Sequence, residues 1–151
     1  MRRSSTNICE ISFPAMSENE SFARMAASAF VMAGNPTLEE LSDIKTAISE
    51  AVTNAILHGY NQDGKGMVHM RFEREEDSYT FIIFDEGVGI EDVQQAMEPL
   101  YTSKPELERS GMGFSFMEAF MDSLEVESEP GKGTKVTMTK SLGTDEPGYD
   151  E

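Results

Sequence analysis

The 151-residue chain is poor in cysteine and has no long apolar run. Its single cysteine, Cys9, cannot form an intrachain disulfide and fits a reducing compartment. No stretch is apolar enough to span a bilayer, and no apolar segment follows Arg2 and Arg3 as a signal peptide would require. The sequence therefore predicts a protein of the cytoplasm, without a membrane segment.

Basic residues are also scarce. Twelve Lys and Arg side chains face 28 Asp and Glu, which gives a formal net charge of −16. The basic residues are scattered, whereas a nucleic-acid binder usually carries a basic stripe because phosphate contacts dominate its affinity. We therefore expect a small ligand or a protein partner, and any phosphate group must be held locally by backbone N–H groups, a metal and a few cations.

The periodicity of apolar residues predicts a single α+β domain over residues 1–140, followed by an acidic, disordered tail over residues 141–151. Predicted strands cover residues 7–13, 67–73, 79–84, 124–128 and 134–140. Grouped strands favour a two-layer sandwich, with helices on one face of a mostly antiparallel mixed sheet.

Helix starts are predicted from two capping boxes, Ser17 with Glu20 and Thr37 with Glu40. The first helix should bury an apolar stripe, and the second should run to about residue 58 and end at Gly59 in the left-handed conformation. Shorter helices are predicted over residues 91–97 and 113–121. The predicted stripe of the first helix is Phe22, Ala26, Ala29, Phe30 and Ala33.

Glu50 and Asn54 lie four residues apart on the second helix, beside its apolar stripe. An amide oxygen can take one position of an octahedral Mg²⁺, and a neighbouring carboxylate can accept a proton from a hydroxyl nucleophile. An isolated pair of this kind is more often an ordinary solvated helix face.

Asp85, Gly87 and Gly89 form a loop directly after an apolar strand. An acid at a strand end can accept a hydrogen bond from an exocyclic amine such as that of adenine, and glycines let the backbone approach a ligand closely. The pattern also suits an ordinary strand-to-helix turn.

A third motif, Gly111-Met112-Gly113, precedes a predicted helix whose first N–H groups can hold phosphate oxygens. Lys104 and Arg109 lie in the aperiodic segment just before it, which could close over a triphosphate as a lid. Thr134 follows a Gly-Lys-Gly hairpin turn and could support an adenine site.

The motifs occur in the order E-x-x-x-N, D-x-G-x-G and G-x-G, which resembles the ATP-binding fold of gyrase-type topoisomerases, Hsp90-type chaperones, histidine kinases and mismatch-repair ATPases. Residues 17–24 (SENESFAR), 49–60 (SEAVTNAILHGY), 85–90 (DEGVGI) and 99–118 (PLYTSKPELERSGMGFSFME) narrow the match. They resemble the bacterial anti-sigma F factor family, from about residue 8 to residue 140.

The resemblance implies a serine kinase that inhibits a sporulation sigma factor and phosphorylates its anti-anti-sigma antagonist with Mg²⁺-ATP. It implies that Glu50 is the catalytic base, Asn54 the Mg²⁺ ligand and Asp85 the adenine-binding acid, that Arg24 contacts both protein partners, and that the protein forms a homodimer. The remaining nucleotide-binding residues implied are Gly87, Gly89, Thr102, Ser103, Lys104, Arg109, Gly111, Met112, Gly113 and Thr134. Tyr101 and Ser103 depart from the Phe and Thr more usual in the family.

Two alternatives stay open at this stage: a general-stress anti-sigma kinase of the same family, and a nucleotide-gated sigma-binding module without kinase activity. A histidine-kinase fragment is not favoured, because the only histidines, His58 and His69, lie at a predicted helix end and within a predicted strand.

Overall fold

The structure is a computed structural model that describes residues 6–59, 65–90, 92–93, 97 and 113–143. Five strands form one sheet in the order β1-β2-β3-β5-β4. All four pairings are antiparallel, so the predicted mixed character of the sheet is wrong for the described strands. The strands are β1 (Thr6–Pro14), β2 (Met67–Glu75), β3 (Ser78–Asp85), β4 (Ser123–Glu129) and β5 (Gly133–Ser141).

Strand β3 is the centre of the sheet, and its alternating residues bury one face against the helices. Tyr79, Phe81 and Ile83 are buried, and Asp85 continues the same alternation at the end of the strand. Side chains of successive strand residues point to opposite faces, so Asp85 lies on the core-facing side. The fold thereby brings a carboxylate to the edge of the hydrophobic core.

Helix α1 (Asn19–Val31) differs from its prediction in its start and in part of its buried face. Of the predicted stripe, Ala26 and Phe30 pack against the core, whereas the other three residues are exposed. No side chain caps its first turn, so the predicted Ser17–Glu20 capping box is wrong. Its buried residues are Ala23, Ala27 and Val31, and Phe22 is 52% exposed. Small side chains form the buried face because α1 packs closely against the neighbouring helix α2, and this leaves larger apolar residues on the outer face.

Helix α2 (Leu38–Asn54) starts as predicted. The Thr37 hydroxyl accepts from the Glu40 N–H, and the Glu40 carboxylate accepts from the Thr37 N–H, which forms a complete capping box. Its buried face is aliphatic, and the helix continues into one π-helical turn, Ala55–Gly59. Gly59 lies within that turn and is not among the described positive-φ residues, so the predicted left-handed helix end is wrong. The buried residues of α2 are Ile44, Ala47, Ile48, Ala51 and Val52.

Helix α3 (Gly113–Phe120) confirms the helix predicted at the Gly111-Met112-Gly113 motif, and its Phe114 and Met117 are buried. The predicted helix over residues 91–97 lies mostly outside the described residues. Its described part shows one helix-type hydrogen bond, in which Met97 N–H donates to Val93 O at 3.1 Å. Strand β5 includes Ser141, and Leu142 is buried, so the fold extends slightly past residue 140. None of the described helices is long and apolar enough to cross a membrane.

Candidate functional site

Glu50 and Asn54 lie on the last turns of α2, and both face the first residue of α3. A β-carbon added to Gly113 would lie 3.2 Å from Asn54 Nδ2 and 3.3 Å from Glu50 Oε1. The absence of a side chain at Gly113 therefore lets the start of α3 approach the pair closely. The structure brings together the predicted base, the predicted metal ligand and the helix start that the third motif predicts.

A groove on the outer side of α2 reaches Glu50 from the direction of α1. Its volume is about 340 Å³, and Arg24, Lys45, Ser49 and Glu50 contribute its polar lining. Two of the chain's few cations thus lie in one groove with the predicted base. Apolar and hydroxyl side chains complete the lining, namely Leu38, Leu41, Ser42 and Thr46.

Arg24 is held in this groove by a carboxylate of its own helix. Its Nη1 donates to Glu20 Oε2 over 2.6 Å, and the same oxygen accepts from the Ser49 hydroxyl. The Glu20 side chain is 18% exposed and that of Arg24 is 34% exposed. Glu20 therefore does not cap α1 but joins the arginine of α1 to α2 at the residue that precedes Glu50.

Asp85 lies at the other end of the same helical segment, next to Gly59. It is the one charged side chain that is buried among the described residues, at 7% exposure. Its Oδ1 accepts from Gly87 N–H at 2.8 Å. Burial raises the pKa of the Asp85 carboxyl, and hydrogen bonds from the backbone N–H groups of Gly87 and Thr134 lower it in part.

The glycines of the Asp85 loop are required by close contacts within the protein. A β-carbon on Gly87 would lie 2.0 Å from the Gly59 carbonyl oxygen, which accepts from Val88 N–H at 2.8 Å. Gly89 has a φ of +79°, and a β-carbon there would lie 2.2 Å from the Glu129 carbonyl oxygen. The sequence suggested approach to a ligand, whereas the structure shows that these glycines fix the Asp85 loop between the α2 end and the β4–β5 turn.

Thr134 is cross-strand partner to Asp85 on β3 and to Ser128 on β4. Thr134 therefore lies next to the Asp85 carboxylate, and its role in an adenine site stays a prediction. Of the other predicted nucleotide residues, Gly87, Gly89 and Gly113 lie as described above. Thr102, Ser103, Lys104, Arg109, Gly111 and Met112 lie outside the described residues.

Three residues of this region were missed from the sequence. Gly59 contacts the Asp85 carboxylate, Glu20 accepts a hydrogen bond from Arg24, and the Ser128 hydroxyl forms a hydrogen bond with that of Thr134. The sequence analysis noted Glu20 as part of a capping box and Gly59 as a helix end, so both were assigned a different role, and Ser128 was not noted. Their contacts join segments that are distant in sequence, so local patterns could not reveal them.

Comparison with known proteins places this arrangement in a defined class. A sequence profile described as the histidine kinase-like ATPase domain matches residues 13–140. A solved structure of the RsbU and RsbW domains of a Mycobacterium tuberculosis protein aligns with a TM-score of 0.62 at 20% identity, covering 90% of this chain and 32% of that one. That likeness establishes the fold alone.

The curated relatives are more similar. An anti-sigma F factor of Clostridium beijerinckii is 57% identical over 138 residues, covering 91% of this chain and 96% of that protein. Anti-sigma F factors of Shouchella clausii and Oceanobacillus iheyensis are 56% and 54% identical and cover 91% and 90% of this chain, and 94% and 93% of their own lengths. The chain therefore belongs to the histidine kinase-like ATPase family and, within it, to the family of anti-sigma F factors.

Proposed function

We propose that this chain is a cytoplasmic anti-sigma factor and protein serine kinase. It binds and inhibits a sporulation sigma factor, and it uses Mg²⁺-ATP to phosphorylate a serine of the anti-anti-sigma antagonist. The support comes from the anti-sigma F relatives together with the site geometry. One observation carries the kinase assignment: Glu50 contacts the start of α3 on one side and lines the groove of Arg24 on the other.

The nucleotide occupies the side of α2 that faces α3 and the end of β3. Asp85 accepts a hydrogen bond from the adenine amine, and the N–H groups at the start of α3 hold phosphate oxygens with the help of the helix dipole. Asn54 lies between these two points. Asp85 contacts Gly59, which is five residues beyond Asn54 at the end of the π-helical turn. The resemblance to anti-sigma F factors implies that Arg109 and Lys104 also bind the phosphates.

The donor set near Gly113 fits Mg²⁺. Asn54 offers an amide oxygen and Glu50 a carboxylate, and oxygen ligands of this kind, together with substrate phosphates and water, are what Mg²⁺ prefers. We assign the metal to Asn54. When bound, the ion neutralises charge on the phosphate oxygens, whereas the protein's own contribution is positioning and proton transfer.

Glu50 serves as general base toward the acceptor serine. The serine of the antagonist enters through the groove, its hydroxyl proton passes to the Glu50 carboxylate, and its oxygen forms a bond to the γ-phosphorus of ATP. The bond from that phosphorus to the β,γ-bridging oxygen breaks, and ADP leaves. The new phosphate carries about two negative charges, so it is repelled by a protein whose own net charge is −16.

Glu50→Gln tests the base. It keeps the size of the side chain but cannot take a proton, so phosphorylation should fall at least about a hundredfold while ATP affinity stays within about threefold of the wild type. Glu39→Gln, at the exposed first turn of the same helix, is the matched control. Transfer of radiolabel from ATP to the purified antagonist is the measurement, and an unaltered rate in Glu50→Gln would remove the base assignment. If the wild type transfers no label but ATP still changes sigma-factor affinity, the chain is a binding module without kinase activity.

The identity of the sigma factor is open to direct test. Co-purification from native cells in the presence of ATP should recover a sporulation sigma factor, and recovery of a general-stress sigma factor alone would place the chain on the other branch of the family. Arg24→Ala should reduce this recovery, because the arginine is held in the groove with its side chain partly exposed. Lys132→Ala is the control, because it removes a positive charge from the exposed β4–β5 turn, away from the groove.

The outer face of α1 supports a homodimer. Phe22 and Met25 lie along this face and are 52% and 62% exposed, and Met32, one residue past the end of α1, is 54% exposed. An apolar patch of this kind marks an interaction surface, and a second copy of the chain is the partner we assign. Met25→Glu should convert a dimer to a monomer in sedimentation equilibrium, and a wild-type chain that is already monomeric would exclude this surface as a dimer contact.

A further inference from the structure

A rung of three polar side chains ends the core-facing side of the sheet, where apolar side chains would be expected. Asp85, Thr134 and Ser128 are consecutive cross-strand partners on β3, β5 and β4. Direct cross-strand partners share one face of a sheet. The two preceding rungs on this face are apolar, namely Ile83, Val136 and Val126, and then Phe81, Met138 and Leu124.

Ser128 is the hydrogen-bonding centre of the polar rung. Its Oγ accepts from Ile90 N–H at 2.7 Å, donates to the Gly133 carbonyl at 2.9 Å and lies 2.9 Å from Thr134 Oγ1. The half-buried hydroxyl thus joins the loop that follows Asp85 to both strands of the hairpin. A serine at this position makes three contacts that an alanine could not replace.

The single proton of the Ser128 hydroxyl determines the direction of these bonds. A carbonyl can only accept, so the proton lies on the bond to Gly133 O. The Thr134 hydroxyl must then donate its own proton to Ser128 Oγ, and only acceptor capacity is left on Thr134 Oγ1. Its backbone N–H is also committed, because it donates to the Asp85 carboxylate.

Asp85 and Thr134 therefore present hydrogen-bond acceptors alone to a bound base. We propose that Ser128 is a positioning residue that fixes the Thr134 hydroxyl as an acceptor, so that the site selects a purine with a 6-amino group over one with a 6-oxo group. An amino group donates to these acceptors, whereas a carbonyl oxygen would leave buried acceptors facing another acceptor, which is costly. This inference rests on the proposed adenine contact of Asp85.

Binding of ATP and of inosine triphosphate, measured by calorimetry with Mg²⁺, tests the proposal. Inosine carries a 6-oxo group and a protonated N1, so the pair isolates the base edge. In Ser128→Ala the Thr134 hydroxyl is free to rotate and donate, so the preference for ATP over inosine triphosphate should fall about tenfold, the equivalent of one hydrogen bond. Ser128→Thr keeps the hydroxyl and should retain the preference.

The same hairpin offers a matched control. Ser123 Oγ and Thr139 Oγ1 form a cross-strand hydroxyl pair of 2.5 Å at the opposite end of β4 and β5. Ser123→Ala should leave the ATP preference unchanged. Thr134→Val should lower the preference by itself, and Ser128→Ala added to Thr134→Val should cause no further change, because no hydroxyl is left to orient.

A purely structural role of Ser128 would give a different result. If Ser128→Ala weakens ATP and inosine triphosphate by the same factor, or changes neither, the proposal is overturned. Asp85→Asn separates the role of Ser128 from the proposed function. If Asp85→Asn loses ATP binding but Ser128→Ala keeps the preference for ATP, only the role of Ser128 is refuted. Unaltered ATP binding in Asp85→Asn removes the adenine contact and the inference with it. If Ser128→Ala does not fold, Thr134→Val and Ser128→Thr test the proposal instead. An unchanged preference for ATP in Thr134→Val would refute the proposal.

Discussion

Gly59 lies directly against the carboxylate of Asp85. A β-carbon on Gly59 would be 2.9 Å from Asp85 Oδ1 and 3.1 Å from its Cγ. The π-helical turn after Asn54 therefore ends in contact with the buried acid of β3. Single π-turns within helices often mark functional sites, and this one sets the spacing between the proposed metal ligand and the proposed adenine acid.

Gly59→Ala should displace the Asp85 side chain and lower ATP affinity at least about tenfold. Overpacking at this position should also lower the free energy of unfolding by about 1–3 kcal/mol. Gly34→Ala is the matched control, because its β-carbon would lie 2.6 Å from the buried Tyr79 hydroxyl, away from Asp85. The control should lose stability in urea unfolding but keep its ATP affinity, and equal ATP affinity in both variants would contradict the prediction.

The titration of Asp85 should be displaced upward. Burial raises the pKa of this carboxyl above the ordinary 3.8. In an NMR titration, the carboxyl ¹³C resonance of Asp85 should therefore change at a higher pH than that of an exposed aspartate. The Asp85→Asn variant assigns the resonance. Because its pKa is raised, the protonated acid binds its proton more tightly in the folded state than in the unfolded state. The stability that this proton contributes is complete below pH 3.8 and is lost as pH rises through the folded pKa. ATP prefers the ionised acceptor, so saturating ATP should move the midpoint down, and an unmoved midpoint would argue against the base contact.

Glu20→Ala should weaken partner binding without affecting the nucleotide. The variant removes the carboxylate that holds Arg24 and Ser49, so the arginine loses its fixed position in the groove. We expect the KM for the protein substrate to rise about tenfold and ATP affinity to stay unchanged, since one charge-assisted contact is lost. Glu73→Ala removes a comparable partner of Arg71 from β2 and is the control. A fall in ATP affinity in Glu20→Ala would show that its role is not confined to the groove.

The two capping boxes of the sequence should behave differently when mutated. Thr37→Ala removes a complete box at the start of α2 and should lower the free energy of unfolding by about 1 kcal/mol. Ser17→Ala should leave stability within about 0.3 kcal/mol, because α1 has no side-chain cap. Urea unfolding of both variants measures the difference, and equal destabilisation would show that Ser17 also caps its helix.

The sequence predicted most elements because their signals are local. The second capping box, the apolar strand β3 and the apolar periodicity of α3 each need only neighbouring residues, and the structure confirms all three. The predicted buried face of α1 was right only in part: Ala26 and Phe30 pack against the core, whereas close packing against α2 also buried Ala23 and Ala27, which lie outside the predicted stripe. Phe22 is half exposed and packs edge-on against Phe13 of β1, a contact between two elements that helical periodicity alone does not predict.

The candidate site divides in the same way. Residue type and helical spacing alone predict which functional groups are available, namely the carboxylate and amide of Glu50 and Asn54, the acid at the end of β3 and the glycine at the start of α3. Which groups meet depends on the folded chain: Gly113 meets Asn54, Gly59 meets Asp85, Glu20 meets Ser49, and Ser128 meets Thr134. These contacts depend on how helices pack and how strands register, and such long-range pairings follow from the packing of the whole core rather than from any short segment.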